Sequence, residues 1–114
     1  MSQTVSTILN NYPIKELIGS IETSIRELQI DSRKIEEGDA FVAIRGAAVD
    51  GHQFIQKAIE LGAKAIFCED LPNNLDEKVT YIQVTDSSEA LGSLASNYYG
   101  KPSEKIKIVA VTGT

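Results

Sequence analysis

The hydrophobic positions of this chain change rhythm several times. Val5, Ile8 and Leu9 fall at helical spacing, which predicts a short amphipathic helix over about 2–11, ended at or just before Pro13. Residues 14–21 fit either a helical turn or a short strand beside Gly19. The stretch 23–31 (TSIRELQID) is rich in β-branched and apolar side chains and predicts a strand. Polar residues 32–39 follow, with Gly38 as a turn residue, and then 40–45 (AFVAIR) reads as a strand buried on both faces. Beyond the loop GAAVDG, Phe54, Ile55, Ala58, Ile59 and Leu61 share one helix face, with Asp50 as N-cap and Gly62 as C-terminal cap. Residues 65–68 (AIFC) form the next buried strand, completing a strand–helix–strand unit long enough for a parallel crossover.

A surface loop over 71–78 leads to a strand at 79–84 (VTYIQV). Asp86 with Glu89 three residues on gives the start of a capping box. Ala90, Leu91, Leu94, Ala95 and Tyr98 then line one helix face, and Gly100 with Pro102 stops it. A last strand at 106–111 (IKIVAV) runs into Thr112-Gly113-Thr114. This alternation predicts an α/β fold: a single domain with a mixed or mostly parallel sheet flanked by helices.

Composition narrows the function. A chain of 114 residues can bury one core but not two independent ones. A net charge of −5 disfavours nucleic acid and anionic membrane as partners, since polyanions would be repelled. The one cysteine, Cys68, excludes an internal disulfide framework, and the one histidine, His52, leaves little scope for histidine-based metal chemistry. No apolar run approaches the ~20 residues needed to span a bilayer, and the N-terminus lacks the pattern of a signal peptide. The expectation is a soluble, cytoplasmic protein.

Candidate chemistry lies in loops at strand ends. Asp31-Ser32-Arg33 offers an acceptor, a hydroxyl and a guanidinium fork within three residues. It suits either recognition of phosphate or sugar at a strand end, or a turn tied down by an Asp31–Arg33 contact. Arg45-Gly46 and Asp50-Gly51 bracket a loop whose glycines would let backbone approach a ligand, although Asp50 reads first as a helix cap. His52 reads as a solvated surface residue, because no carboxylate or nucleophile is placed by sequence to work with it. Cys68 reads as a small buried apolar residue. Tyr98 and Tyr99 could stack on a base, but Tyr98 fits the core face of its helix. Glu36-Glu37 and Asp76-Glu77 read as solvated surface. The closing T-G-T is either an ordinary strand end or the entrance to a glycine-rich phosphate loop without its lysine. A sequence that stops flush with a buried strand favours a cut chain.

Three segments, DSRKIEEGDAFVAIRG, DGHQFIQKAIELGAKAIFCE and IKIVAVTGT, together resemble the N-terminal part of the Mur ligases, over roughly Ser24 to Thr114. The signature D-S-R-x-x-x-x-G-D-x-F-x-A-x-x-G is matched by Asp31, Ser32, Arg33, Gly38, Asp39, Phe41, Ala43 and Gly46. D-G-x-x-F-x-x-x-A is matched by Asp50, Gly51, Phe54 and Ala58. The resemblance implies an ATP-dependent, amide-bond-forming enzyme of peptidoglycan precursor synthesis, with separate UDP-sugar, ATPase and amino-acid-selecting domains. It implies that 1–111 is the UDP-sugar-binding domain and that 112–114 begins an ATP loop leading to the central and C-terminal domains.

The ending Val111-Thr112-Gly113-Thr114 is similar to the branch that adds the third amino acid to UDP-N-acetylmuramoyl-L-alanyl-D-glutamate. Alternatives are the sister ligase that adds D-alanyl-D-alanine and a stand-alone nucleotide-binding module without catalysis. The third amino acid, lysine or meso-diaminopimelate, stays open at this point. By the resemblance, Ile30, Ser32, Ala47, Ala48 and Val49 meet the uridine diphosphate end of the substrate, and Gly113 and Thr114 belong to the ATP site. Ala47, Ala48 and Val49 can offer only backbone groups and apolar contact where relatives carry polar side chains. ATP and Mg2+ are implied for the parent enzyme, their main ligands lying past residue 114. No catalytic or metal-binding residue is assigned within the chain, which is expected to bind substrate but not to turn it over.

Overall fold

Ala65–Cys68, four consecutive residues with no solvent exposure, form the strand at the middle of the molecule. The computed structural model describes residues 3–46 and 50–98. In chain order the strands are β1 (Gln3–Thr4), β2 (Glu16–Ile18), β3 (Ser24–Ile25), β4 (Leu28–Gln29), β5 (Ala40–Val42), β6 (Ala65–Cys68) and β7 (Thr80–Gln83). The helices are α1 (Val5–Leu9), α2 (Ile55–Glu60) and α3 (Ser87–Tyr98), with short 3-10 turns at Ser32–Lys34 and Gly51–Phe54.

Five strands make the main sheet, in the order β2-β7-β6-β5-β4. The β4-β5, β5-β6 and β6-β7 pairs are parallel, and β2 closes the other edge antiparallel to β7. Because side chains alternate along a strand, each buried strand feeds two cores. Ala40, Val42, Ala65, Phe67, Ile82 and Val84 pack with α1 and α3 through Val5, Ile8, Ala90 and Leu94. Phe41, Ala43, Ile66, Cys68 and Tyr81 pack with Ile35, Ile55 and Ala58 on the opposite side. The result is the expected α/β arrangement, a mostly parallel sheet between helical layers.

Several details refine or correct the sequence expectation. The strand expected over 23–31 is two strands: β3 pairs with β1, whereas β4 joins the main sheet. The break falls at Arg26, whose backbone N–H donates to Gly38 O at 2.7 Å while its side chain turns toward Asp39. The ambiguous segment 14–21 resolves as β2, held by its antiparallel register with β7. Phe54 and Leu61, expected on the buried helix face, are exposed. The chain enters α2 through a 3-10 turn, whose tighter winding moves Phe54 off the face that Ile55 and Ala58 bury.

Capping follows the sequence closely. Asp50 accepts from His52 N, and Gly62 after α2 takes a φ of 115°. At α3, Asp86 Oδ1 accepts from Ser88 N at 3.0 Å and Glu89 N at 3.2 Å. The reciprocal half of the capping box is absent, because the Glu89 carboxylate instead accepts from Tyr12 Oη at 3.0 Å. The strand expected at 106–111 and the Thr112–Thr114 loop lie outside the described residues, as do Tyr99 and Ala47 to Val49.

Candidate functional site

Strands β4 and β5 run parallel, so their C-terminal ends open on the same edge of the sheet. There the chain leaves β4 toward the 3-10 turn at Ser32–Lys34 and β5 toward the Arg45–Asp50 bridge, and a cleft of about 560 Å3 lies between them. Its walls are Ile30, Asp31, Ser32 and Arg33 after β4, and Ile44, Gly46, Gly51 and Phe54 after β5. A cleft at the carboxyl ends of parallel strands is the usual ligand position of open α/β sheets.

The first wall is built by Asp31. Its carboxylate accepts from Arg33 N at 3.0 Å and, bidentately, from Arg33 Nε at 3.1 Å and Nη2 at 2.9 Å. That fixes the 3-10 turn and leaves Ser32 93% buried with its residue facing the cleft; Ser32 is 7% exposed. The Arg33 hydrogen bonds hold the Asp31 carboxyl down at about 2, although Arg33 itself is 84% exposed. The Asp31–Arg33 contact weighed as the structural alternative is therefore present, and it shapes the turn on which Ser32 is presented. Ile30, at 55% exposure, projects apolar surface beside it.

The second wall depends on a close backbone approach. Gly51 N donates to Ile44 O at 2.7 Å, and a Cβ on Gly51 would lie 2.8 Å from Ile44 N. Only glycine fits there. Arg45 and Asp50 pair as an antiparallel bridge across the loop that carries Ala47, Ala48 and Val49. The described residues flanking those three, Gly46 on one side and Gly51 just past Asp50, both line the cleft. Ile44 and Phe54 are cleft residues that sequence reasoning did not single out. The available signal is Phe54 in D-G-x-x-F, a position whose spacing also fits the buried helix face.

A polar network backs this wall. Arg45 Nε donates to Glu69 Oε1 at 3.2 Å, Arg45 Nη2 pairs with Asp70, and Arg45 Nη1 lies 3.8 Å from Asp50 Oδ2. Glu69 Oε2 accepts from Ser87 N at 2.9 Å, tying the network to the start of α3. His52 is part of it and is not the solvated residue expected. Its side chain is 12% exposed, with Nδ1 2.8 Å from Asp50 Oδ1. The sequence gives no hint of this, because the other partners of the ring are backbone groups of Glu69 and Asp70. Cys68 is buried as expected, and burial pushes its thiol up to about 12.

Residues 24–99 match the family model described as "Mur ligase family, catalytic domain". This chain belongs to the Mur ligase family. Among its curated relatives are UDP-N-acetylmuramoyl-L-alanyl-D-glutamate--2,6-diaminopimelate ligases. That of Phocaeicola vulgatus is 47% identical over 94% of this chain and 22% of its own length. That of Bacteroides fragilis is 49% identical over 90% of this chain and 21% of its own. The chain thus spans about a fifth of the length of these Mur ligases. Among solved structures, the D-alanyl-D-alanyl-adding ligase of Acinetobacter baumannii superposes with a TM-score of 0.70 at 25% identity, over 85% of this chain and 21% of that one. A MurF ligase from Thermotoga maritima, solved in complex with ADP, gives 0.54 at 38% identity over 61% of this chain and 16% of that one.

The family's motif residues divide by role in this Mur ligase chain. Asp31, Ser32, Gly46 and Gly51 frame the cleft. Gly38, Asp39, Phe41, Ala43 and Ala58 belong to the scaffold, with Gly38 at a φ of 94° and the other four fully buried. Among the described residues no cluster of three or more His, Cys, Asp or Glu could hold a metal ion, and no helix is long and apolar enough to cross a membrane. Gly113 and Thr114, expected at the ATP site, lie outside the described residues.

Proposed function

We propose that this chain is the UDP-sugar-binding domain of a ligase that adds 2,6-diaminopimelate to UDP-N-acetylmuramoyl-L-alanyl-D-glutamate in peptidoglycan precursor synthesis. The observation that carries this reading is the agreement of the relatives at 47% to 50% identity, which share that one substrate and that one added residue in their names. The likeness to D-alanyl-D-alanine-adding ligases at 25% identity supports the shared fold more than the sister specificity. On this reading 1–111 is the substrate-holding domain, and 112–114 opens the ATP loop. The protein works in the cytoplasm with the central and C-terminal domains of the same polypeptide.

The cleft chemistry suits the uridine diphosphate end of such a substrate. Ile30, Ile44 and Phe54 offer apolar surface for a planar base, and the Ser32 hydroxyl offers a hydrogen bond to a sugar or phosphate oxygen. Backbone groups of Ala47, Ala48 and Val49 supply the remaining polar contacts, since their side chains have none to give. Holding the nucleotide end far from the reacting carboxylate restricts the substrate's freedom and helps orient that carboxylate. ATP and Mg2+ serve the activation of the carboxylate in the whole ligase, and Gly113 and Thr114 begin the ATP site.

A nuclear magnetic resonance titration of the isotope-labelled chain with UDP tests the site. The expected outcome is shifts at the amides of Ser32, Gly46 and Gly51 and of the three residues 47–49. Absence of shifts at millimolar UDP, or shifts gathered at the end of α3, would overturn it. Isothermal titration with the UDP-N-acetylmuramoyl-dipeptide should give tighter binding than UDP alone, and activity assays of the full ligase with diaminopimelate, lysine and D-alanyl-D-alanine separate the three specificities.

A further inference from the structure

His52 stands where the base of the 46–51 loop meets the end of β6. Its Nε2 accepts from the backbone N–H groups of Glu69 at 2.8 Å and Asp70 at 3.3 Å. Its Nδ1 lies 2.8 Å from Asp50 Oδ1. Two amide donors aimed at Nε2 decide the tautomer: Nε2 carries no proton, and Nδ1 donates its own to Asp50. Asp50 is also the residue that bridges Arg45 across the loop, directly before the Gly51 N–H that donates to Ile44 O. The neutral imidazole therefore joins the cleft's second wall to the strand behind it.

We infer that His52 is a positioning residue, a latch whose neutral Nδ1–H form holds the base of the 46–51 loop against the end of β6 and thereby fixes the wall of the Ile30–Phe54 cleft. Only the last consequence, that the latch sets affinity for UDP, rests on the function proposed above. Protonating Nε2 would set an N–H against two N–H donors and break the β6 side of the latch. Of the charged side chains in this network, Asp50 contacts the ring directly, and Arg45 pairs in turn with Asp50, Glu69 and Asp70. Hydrogen bonds from the His52 backbone and ring lower the Asp50 carboxyl below the ordinary carboxylate range, which keeps it an acceptor for Nδ1–H. The protonated ring keeps its Asp50 contact and loses Glu69 and Asp70, so acid loosens Asp50 and Gly51 from the end of β6 without detaching the ring from Asp50.

Long-range proton–nitrogen spectra and amide-exchange protection of the 114-residue chain, from about pH 8 to about pH 5, test the latch without any ligand. The expected result is a bare Nε2 at the upper end. Amide shifts of Glu69 and Asp70 should follow the ring titration. Protection of the Gly51 amide should fall several-fold on acidification, while strand β6 stays protected. His52→Gln, which can place an untitratable amide oxygen near the Nε2 position, should remove the pH dependence of Gly51 protection. An Nε2–H tautomer at the upper end, or Glu69 and Asp70 amides indifferent to the ring, would overturn the latch. UDP affinity measured over the same range should weaken several-fold in the parent chain and stay flat in His52→Gln. A titrating latch with pH-independent UDP binding would overturn its role in the site. No UDP binding at any pH, with the ligand-free signals intact, would instead overturn the function proposed for the cleft and leave the latch standing.

Discussion

Arg26 crosses from the break between β3 and β4 to place its Nε 3.0 Å from Oδ1 of Asp39, a carboxylate with no solvent exposure. Asp39 Oδ2 also accepts from Glu36 N at 2.9 Å and from Arg26 Nη2 at 3.3 Å. One buried side chain thus ties the entrance of β5 to the point where the preceding strand divides. Asp39→Ala removes these acceptors and leaves the Glu36 N–H without its partner, so it should cost about 2–4 kcal/mol of stability. Asp39→Asn keeps an acceptor and should cost less. Urea denaturation measures both, and wild-type stability for Asp39→Ala would contradict this role.

Ser32→Ala should weaken UDP binding while leaving the melting temperature unchanged. Loss of one hydroxyl hydrogen bond costs about 0.5–1.5 kcal/mol, and more where a charged phosphate oxygen is the partner. Calorimetric titration read beside a thermal melt gives both numbers. An unchanged dissociation constant would remove Ser32 from the site. Arg33→Ala separates shape from contact: it should disturb the turn built on Asp31 more than it disturbs the ligand itself.

Asp31 provides a check by acid titration. Its carboxyl is held at about 2, below the ordinary 3.8, chiefly by the side-chain hydrogen bonds of Arg33 and then by the Arg33 backbone N–H. A folded pKa below the unfolded one means that the ionised form is favoured by folding. The contribution is therefore complete above pH 3.8 and is lost as the pH falls through about 2. Carboxyl-carbon resonance titration should find the depressed midpoint in the parent chain and a midpoint nearer the ordinary value in Arg33→Ala. Identical midpoints would rule out the pairing in solution.

Gly51→Ala should damage both fold and cleft. The added Cβ would lie 2.8 Å from Ile44 N and 2.9 Å from Ile44 O, and neither backbone atom can move without shifting the end of β5. A loss of about 2–4 kcal/mol is expected from a clash of this kind. Denaturation curves, together with UDP titration of the surviving folded protein, would show whether the loop absorbs the methyl group. Unaltered values in both would mean that it does.

Cys68 should be inert to thiol reagents in the folded chain at mildly alkaline pH. It is fully buried on β6, and desolvation pushes its thiol up to about 12. Labelling with iodoacetamide should proceed quickly only after denaturant is added. Fast labelling of the native protein would show that the central strand opens.

The strands at 40–42, 65–68 and 80–83 were readable because burial on both faces leaves continuous apolar runs. The helix caps Asp50, Gly62 and Asp86 were readable because capping is a local interaction. The division at Arg26 was not, since it depends on Gly38 and Asp39 more than ten residues later. Ser32 was readable from its place among polar groups at a strand end, whereas Ile30 came only with the family resemblance; both line the cleft. Ile44 and Phe54 were not readable, because a 3-10 turn in place of an α-turn decided which way Phe54 points. The latch at His52 was hidden for another reason: it binds backbone N–H groups, which every residue but proline carries and no side-chain pattern reveals.

The edge strand β2 has a consequence for the order of synthesis. Residues 15–20 pair chiefly with β7: Lys15 N donates to Gln83 O, β2 pairs along β7, and Ser20 N donates to Thr80 Oγ1 at 3.3 Å. A ribosome makes these residues early, yet their partners arrive some sixty positions later, as in the Ser20–Thr80 contact with its sequence separation of 60. Of the parallel pairs, β6–β7 must wait for the same late segment. Strand β2 therefore stays undocked until Gln83 has emerged, and closing that edge of the sheet should register as a late tug on the ribosome. Force-sensitive arrest measurements on truncated nascent chains would detect an early step if β2 docked before β7.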